Sequence, residues 1–355
     1  MRPVKLLFAV FILASCSRGT SPLNDERKNI TLLWRIESFN WITSSILIKN
    51  DKIYFGSFND AFHSATLTDG AIKSTSKTTD DPYFSPLINE NRIYFSSFDL
   101  NLYCVDSLGK LIWKKKTIDR IKNNLVEDDS VLFVPVRSDG LRAMRKSDGT
   151  TIWHLPQNPQ ALSTNRPTLY RDKVFIGNWD LDNKVMAVNK TDGKPIWTNK
   201  YSGYSSSDAA LSPNGLVISL DRYYKGGQVK MLDFQSGKEV WSVPLKCEPL
   251  YQPFTNNECV IVSTYDNKIV RLNNIDGRTQ WTLDLQTEEN ADTKIVSFQK
   301  HIYFGTTKRN LYCVDINSGK TLFIEPFNYG LSEPLVANDN VYFPTGGNEL
   351  WTLKK

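Results

Sequence analysis

Residues 93–116 read IYFSSFDLNLYCVDSLGKLIWKKK, and this stretch holds the pattern on which the fold depends. An apolar pentapeptide opens it, a second β-rich segment follows, the chain turns at Gly109, and Trp113 comes four residues later. Working outward, the pentapeptide recurs as IYFGS from Ile53, VLFVP from Val131, VFIGN from Val174 and LVISL from Leu216. VIVST from Val260, IYFGT from Ile302 and VYFPT from Val341 complete eight copies. The seven intervals between Ile53 and Val341 average about 41 residues, a period that marks stacked units which cannot bury their apolar faces alone.

The turn recurs as well, with Gly70, Gly109, Gly149, Gly193, Gly237, Gly277 and Gly319 at its end. Four of the seven turns are Asp-Gly, which predicts type I′ hairpins with positive φ at both central residues. Four residues past the Gly stands Trp113, Trp153, Trp197, Trp241 or Trp281, replaced by Phe323 in the seventh copy and Ser74 in the first. Each unit therefore holds four short strands: an inner one often opened by Pro (Pro86, Pro167, Pro253, Pro334), the pentapeptide, a segment such as LYCVD, and the Trp strand. Eight such units predict an all-β, eight-bladed β-propeller of four-stranded antiparallel blades. The eighth unit lacks its Trp strand, whereas ITLLWRIES at the other end of the chain has Trp34 in the matching setting. The N-terminal strand is thus expected to complete the last blade and remove the exposed edge.

The aromatic-rich strand, the LYCVD segments and the Trp four residues past the Gly resemble the PQQ-like β-propeller repeat family, from Ile30 to Lys355. Within it the pattern is most similar to the BamB-like outer-membrane assembly lipoproteins. That resemblance implies a non-enzymatic scaffold for assembly or insertion of outer-membrane β-barrel proteins, with the barrel-assembly machinery as partner. Two alternatives stay open: a small-ligand or glycan-binding propeller, and a quinoprotein oxidoreductase. The quinoproteins of related fold are longer and use a vicinal Cys pair and a calcium site. No two cysteines adjoin here, and no acidic cluster stands out along the sequence.

Composition agrees with a large soluble core: 40% hydrophobic, 12% aromatic and 23% charged over 355 residues. The formal charge is +5, and removing Arg2 and Lys5 leaves 41 basic residues against 38 acidic, too mild a balance for a nucleic-acid partner. The start of the chain reads as a leader over residues 1–15: MRPVK is its basic region and LLFAVFILA its apolar run. LASC, ending at Cys16, matches the bacterial lipobox, so Cys16 is expected to be lipidated. Ser17 stands where an Asp would hold an enteric lipoprotein at the inner membrane, and that resemblance implies an outer-membrane address with the propeller facing the periplasm. Each buried methylene of an acyl chain contributes roughly 0.8 kcal/mol to membrane attachment. Residues 16–29 read as a polar tether with an end-to-end distance of roughly 20 Å. The expected domains are accordingly leader 1–15, tether 16–29 and propeller 30–355, with a monomeric ring.

No catalytic, metal or cofactor site is expected. Cys104 and Cys313 share one repeat position with Ala143 and Ala187, where a small residue packs closely. Cys247 and Cys259 are 12 residues apart, but one precedes an inner strand and the other begins the strand after it, which disfavours a bond. His63, His154 and His301 fall at unrelated repeat positions. Asp106, Asp233 and Asp315 sit where side chains cap hairpins. Function is expected where the repeat breaks: the lengthened connections NWDLDNK in blade 4 and LDRYYKGGQ in blade 5, and the link PQNPQALSTNRP into blade 4. All three belong to one face, and they gather Leu162, Arg166, Trp179, Arg222, Tyr223 and Tyr224 as candidate partner-binding residues, the side-chain types enriched at interface hot spots. The family resemblance implies that Leu and Arg side chains of a loop in this region grip the barrel-assembly protein, which points to Leu162 and Arg166.

Overall fold

The computed structural model describes residues 30–35, 42, 44–121, 123–157, 163–179, 183–205, 207–222 and 225–353. They form eight antiparallel sheets, and in every blade but the eighth the strands run in chain order from inner to outer. Blade 2 shows the plan: Pro82–Asn89, Arg92–Ser97, Asn101–Asp106 and Leu111–Lys116. Its second strand, which holds the pentapeptide, is almost wholly buried, while its outer strand alternates between water and the blade. Two-sided burial of the middle strands is what an unbroken apolar run produces, and half-burial is what alternation produces. The basic stretch Lys114–Lys116 therefore lies on an outer strand.

The ring closes as the sequence predicts. Ile30–Arg35 pairs with Glu349–Leu353, Thr31 opposite Thr352, and so becomes the outer strand of blade 8. On the inner side, Leu335–Ala337 of blade 8 packs against Leu47–Lys49 of blade 1. Trp34, Ile53, Phe55, Leu67 and Leu350 share one core cluster across the closure.

The Trp repeat explains how neighbouring blades hold each other. The indole N–H of Trp34 donates to the carbonyl of Leu67 in blade 1 at 2.8 Å. Trp113, Trp153, Trp197, Trp241 and Trp281 donate in the same way to Lys146, Lys190, Phe234, Asn274 and Ile316, each in the next blade, at 3.0–3.3 Å. The six-membered ring of each indole lies against the next blade's turn glycine; a Cβ on Gly237 would stand 2.6 Å from Trp197 Cδ2. Blade 1 lacks the Trp, and there Ser76 donates to the Gly109 carbonyl at 2.8 Å.

The turns themselves differ from type I′. Only the glycine is left-handed, with φ between 67° and 82° at the seven positions, and Asp69 is not. The Gly70 amide donates to Thr66 O and the Thr66 amide to Ala71 O, so the loop is longer than two residues, and the strand register shifts beside it. A right-handed turn followed by a left-handed glycine adds a bulge and local twist. The position opposite the Trp is also less restricted than expected: Cys104, Ala143, Ala187 and Cys313 are small, but Met231 and Arg271 fill it in blades 5 and 6. Cys104, Cys247, Cys259 and Cys313 stand as free thiols.

Candidate partner-binding face and axial channel

Connections from second to third strand, and from each blade to the next, emerge on one face of the ring; the glycine turns emerge on the other. Blades 4 and 5 are built differently on the first face. Their second strands, Lys173–Trp179 and Gly215–Asp221, run to seven residues. The distal ends pair with added two-residue strands, Ser163–Thr164 and Tyr204–Ser205, where blades 1, 3, 6, 7 and 8 have one isolated bridge. Longer hairpins in blades 4 and 5 therefore rise from firm bases. One base is knotted by buried Asn165, whose Nδ2 donates to Ser205 Oγ at 2.9 Å and to the Ser207 carbonyl at 2.8 Å. Gly177 permits this approach, since a Cβ there would meet both Asn165 Nδ2 and Ser205 Oγ at 2.9 Å.

The candidate residues divide into three groups. Leu162, Tyr223 and Tyr224 lie outside the described residues. Trp179 ends the second strand of blade 4 opposite Ser163, and half-buried Arg222 follows the second strand of blade 5, its amide donating to the Gly226 carbonyl at 3.1 Å. Arg166 lines the wall of the axial channel.

That channel was not legible in the repeat. One residue per blade rings the axis: Ser45, Asn124, Arg166, Asp208, Gln252, Lys294 and Glu333, each two residues before its inner strand, and Ser85 within the longer inner strand of blade 2. Several are tied across it. Buried Asp208 accepts from the Arg166 amide at 2.9 Å and from Asn123 Nδ2 at 3.1 Å, and lies 3.9 Å from Lys294 Nζ, which is 3.2 Å from Glu333. The Ser85 amide donates to Asn124 Oδ1 at 2.9 Å. On the loop side lies a chamber of about 260 Å³, lined by Tyr83, Phe84 and Asn123 among others. On the turn side lies one of about 450 Å³ with largely aliphatic walls.

The histidines and the hairpin aspartates are engaged within the fold where they are described. Ser57 Oγ is 2.9 Å from His63 Nε2, and His63 Nδ1 is 3.1 Å from Thr75 Oγ1. Both Ser57 and His63 are buried to within 1% of full occlusion, so no substrate reaches the hydroxyl. Burial, assisted by the charge of Lys77, pushes the His63 pKa down to about 4. His154 bonds Asp139, and His301 lies beside Tyr303, so the three histidines stay in separate blades. Asp106, Asp233 and Asp315 cap their hairpins, Asp315 accepting the Ser318 amide at 2.7 Å. Hydrogen bonds from Ser236 and Ser318 lead the causes that hold the Asp233 and Asp315 carboxyls below the usual range. One acidic group was missed along the sequence: Asp60, Asp80 and Asp81 bring carboxylate oxygens within 4.8 Å of one another on the loop face. The Asp80-Asp81 pair was visible, but its meeting with Asp60 of another blade was not.

Comparison with known proteins agrees with this architecture. The family profile described as outer membrane protein assembly factor BamB matches residues 67–210 and 181–298, together more than half of the chain. BamB of Yersinia pestis is 22% identical over 341 residues, covering 91% of this chain and 79% of that protein. The crystal structure of BamB from Moraxella catarrhalis superposes with a TM-score of 0.75 at 16% identity, covering 91% and 97% of the two chains. Quinoprotein ethanol dehydrogenase of Pseudomonas putida is 27% identical over 143 residues, but these make up 35% of this chain and 23% of that enzyme. The propeller described here therefore belongs to the BamB family of outer membrane protein assembly factors.

Proposed function

We propose that this protein is a non-enzymatic scaffold, tethered by acylated Cys16 to the outer membrane and facing the periplasm, that supports assembly of outer-membrane β-barrel proteins. Its partner is a component of the barrel-assembly machinery, and the propeller acts as a monomeric ring. The observation that carries this reading is the pair of lengthened hairpins on one face of an otherwise regular ring, in a chain of the BamB family. A rigid closed ring presents such loops at little entropic cost, and loops on a rigid frame are where recognition residues concentrate. Trp179, Arg222, Tyr223 and Tyr224 are the proposed contact residues, with Leu162 on the adjoining link. The likeness to the dehydrogenase covers about a third of the chain. The walls described for the larger axial chamber are largely aliphatic and include no aromatic ring on which a flat cofactor could stack, so the enzymatic reading is the weaker one.

Affinity purification from detergent-solubilised membranes tests the proposal. A barrel-assembly component should co-purify with the wild-type chain, and the double change Tyr223→Ala with Tyr224→Ala should lower its recovery without changing the thermal midpoint. Recovery of an unrelated complex alone would overturn the functional reading, and undiminished recovery with the double variant would overturn the loop assignment.

A further inference from the structure

We infer that the larger axial chamber is a binding site for a small carboxylate on a compact aliphatic body, with Arg166 as the anchor. The inference rests on the channel and not on the loop face, so it stands apart from the scaffold reading. Three observations carry it. The first is shape: a volume of about 450 Å³ lies within the range of small-ligand pockets, which are mostly apolar with a few placed polar groups. Leu47, Leu87, Leu125 and Leu335 supply the apolar wall from blades 1, 2, 3 and 8.

The second is an unspent cation. The Arg166 backbone is fixed, its amide bonded to Asp208 and its φ/ψ constrained by Pro167 after it. Its guanidinium has no hydrogen bond or ion pair among the described residues, although the residue is half-buried. Other cations near the axis are engaged: Lys294 is paired with Glu333, and Lys49 Nζ donates to the Ile88 carbonyl at 2.9 Å. A planar guanidinium held beside aliphatic side chains fits a carboxylate through two parallel N–H···O bonds.

The third is charge balance. In the lining Lys49, Arg166 and Lys294 stand against Glu333, and Asp208, outside the lining but 3.9 Å from Lys294 Nζ, offsets one charge more, leaving 3 − 2, one positive charge in excess. One monoanion neutralises it. Asn124, Lys294 and Glu333 line both this chamber and the loop-side one. Inner strands start near the loop face and end near the turn face, so a ligand enters past Lys49.

Two sources share this chemistry, a short free fatty acid and the C-terminus of an apolar peptide. Isothermal titration of the full chain with hexanoate, N-acetyl-leucine and neutral N-acetyl-leucinamide distinguishes them. At least one acid should bind saturably at one per chain, ten-fold or more tighter than the amide. Arg166→Gln should weaken that acid at least ten-fold, and Arg166→Lys should restore part of the affinity. Tighter hexanoate assigns the fatty acid, and tighter N-acetyl-leucine assigns the peptide terminus. Because the guanidinium bonds to none of the described residues, both variants should keep the wild-type urea midpoint. Absence of saturable binding by both acids, equal binding of the amide, or unchanged affinity in Arg166→Gln would overturn the inference.

Discussion

Replacing Trp34 by Ala tests ring closure at the strand that performs it. Trp34 is 8% exposed and donates its indole N–H to Leu67 O across the junction of blades 8 and 1. A Trp side chain buries roughly 150–250 Å², which at about 25 cal/mol/Å² is roughly 4–6 kcal/mol before any correction for a compact unfolded chain. Truncations of buried Trp to Ala cost about 3–5 kcal/mol, and the lost hydrogen bond falls within that range at about 1 kcal/mol. The expected loss is therefore about 3–5 kcal/mol. Trp34→Phe keeps most of the area and forfeits the donor, for about 1–2 kcal/mol. Urea unfolding followed by circular dichroism measures both through the midpoint. With a slope of about 3 kcal/mol/M, Trp34→Ala should lower it by about 1–1.7 M. Ser74 holds the corresponding place in blade 1, bonded to Ser64 at 2.6 Å, and Ser74→Ala is the reference. If Trp34→Ala cost no more than Ser74→Ala, the inter-blade role given to the repeated indole would be refuted.

Two further outcomes follow from the same geometry. Gly237→Ala places a Cβ 2.6 Å from Trp197 Cδ2 at φ 67°, combining backbone strain with a clash; a loss of about 2–3 kcal/mol is expected, and a midpoint unchanged from wild type would refute it. His63 is held neutral, its pKa lowered to about 4 against the ordinary 6.5. Between those values the unfolded chain binds more protons, so stability is complete above pH 6.5 and declines as pH falls toward 4, by about 2 kcal/mol between pH 7 and pH 5. His63→Gln should flatten that part of the profile, and an identical slope in the variant would contradict the assignment.

The parts of this molecule legible in the sequence are those governed by local periodicity. All eight pentapeptides fall in second strands, with Thr306 alone one residue past its strand, and the Trp strand at the N-terminus joins blade 8, because burial on two faces, turn chemistry and a 41-residue period leave marks on consecutive residues. The turn type was misread because Asp-Gly fits several loop lengths, and strand register chose the longer one. The axial ties escaped notice for a different reason. Asn123 and Asp208 are 85 residues apart, in blades 3 and 5, and nothing in either neighbourhood signals the other. Arg166 illustrates the limit well: grouped with the irregular loops because it follows ALSTN, it instead belongs to the inner-strand position shared with Lys294 and Glu333. Circular geometry converts equal repeat positions into a ring of neighbours, and only the closed fold reveals which of them meet.

The central claim, that the loop face of blades 4 and 5 captures a barrel-assembly component, is tested most directly by photo-crosslinking in intact cells. A photoreactive residue at Arg222 probes that face, and one at Leu108, 79% exposed in a glycine turn, probes the opposite one. The account predicts an adduct with a barrel-assembly protein from position 222 and none from position 108. Adducts from position 108 alone, or with equal yield from both, would contradict it.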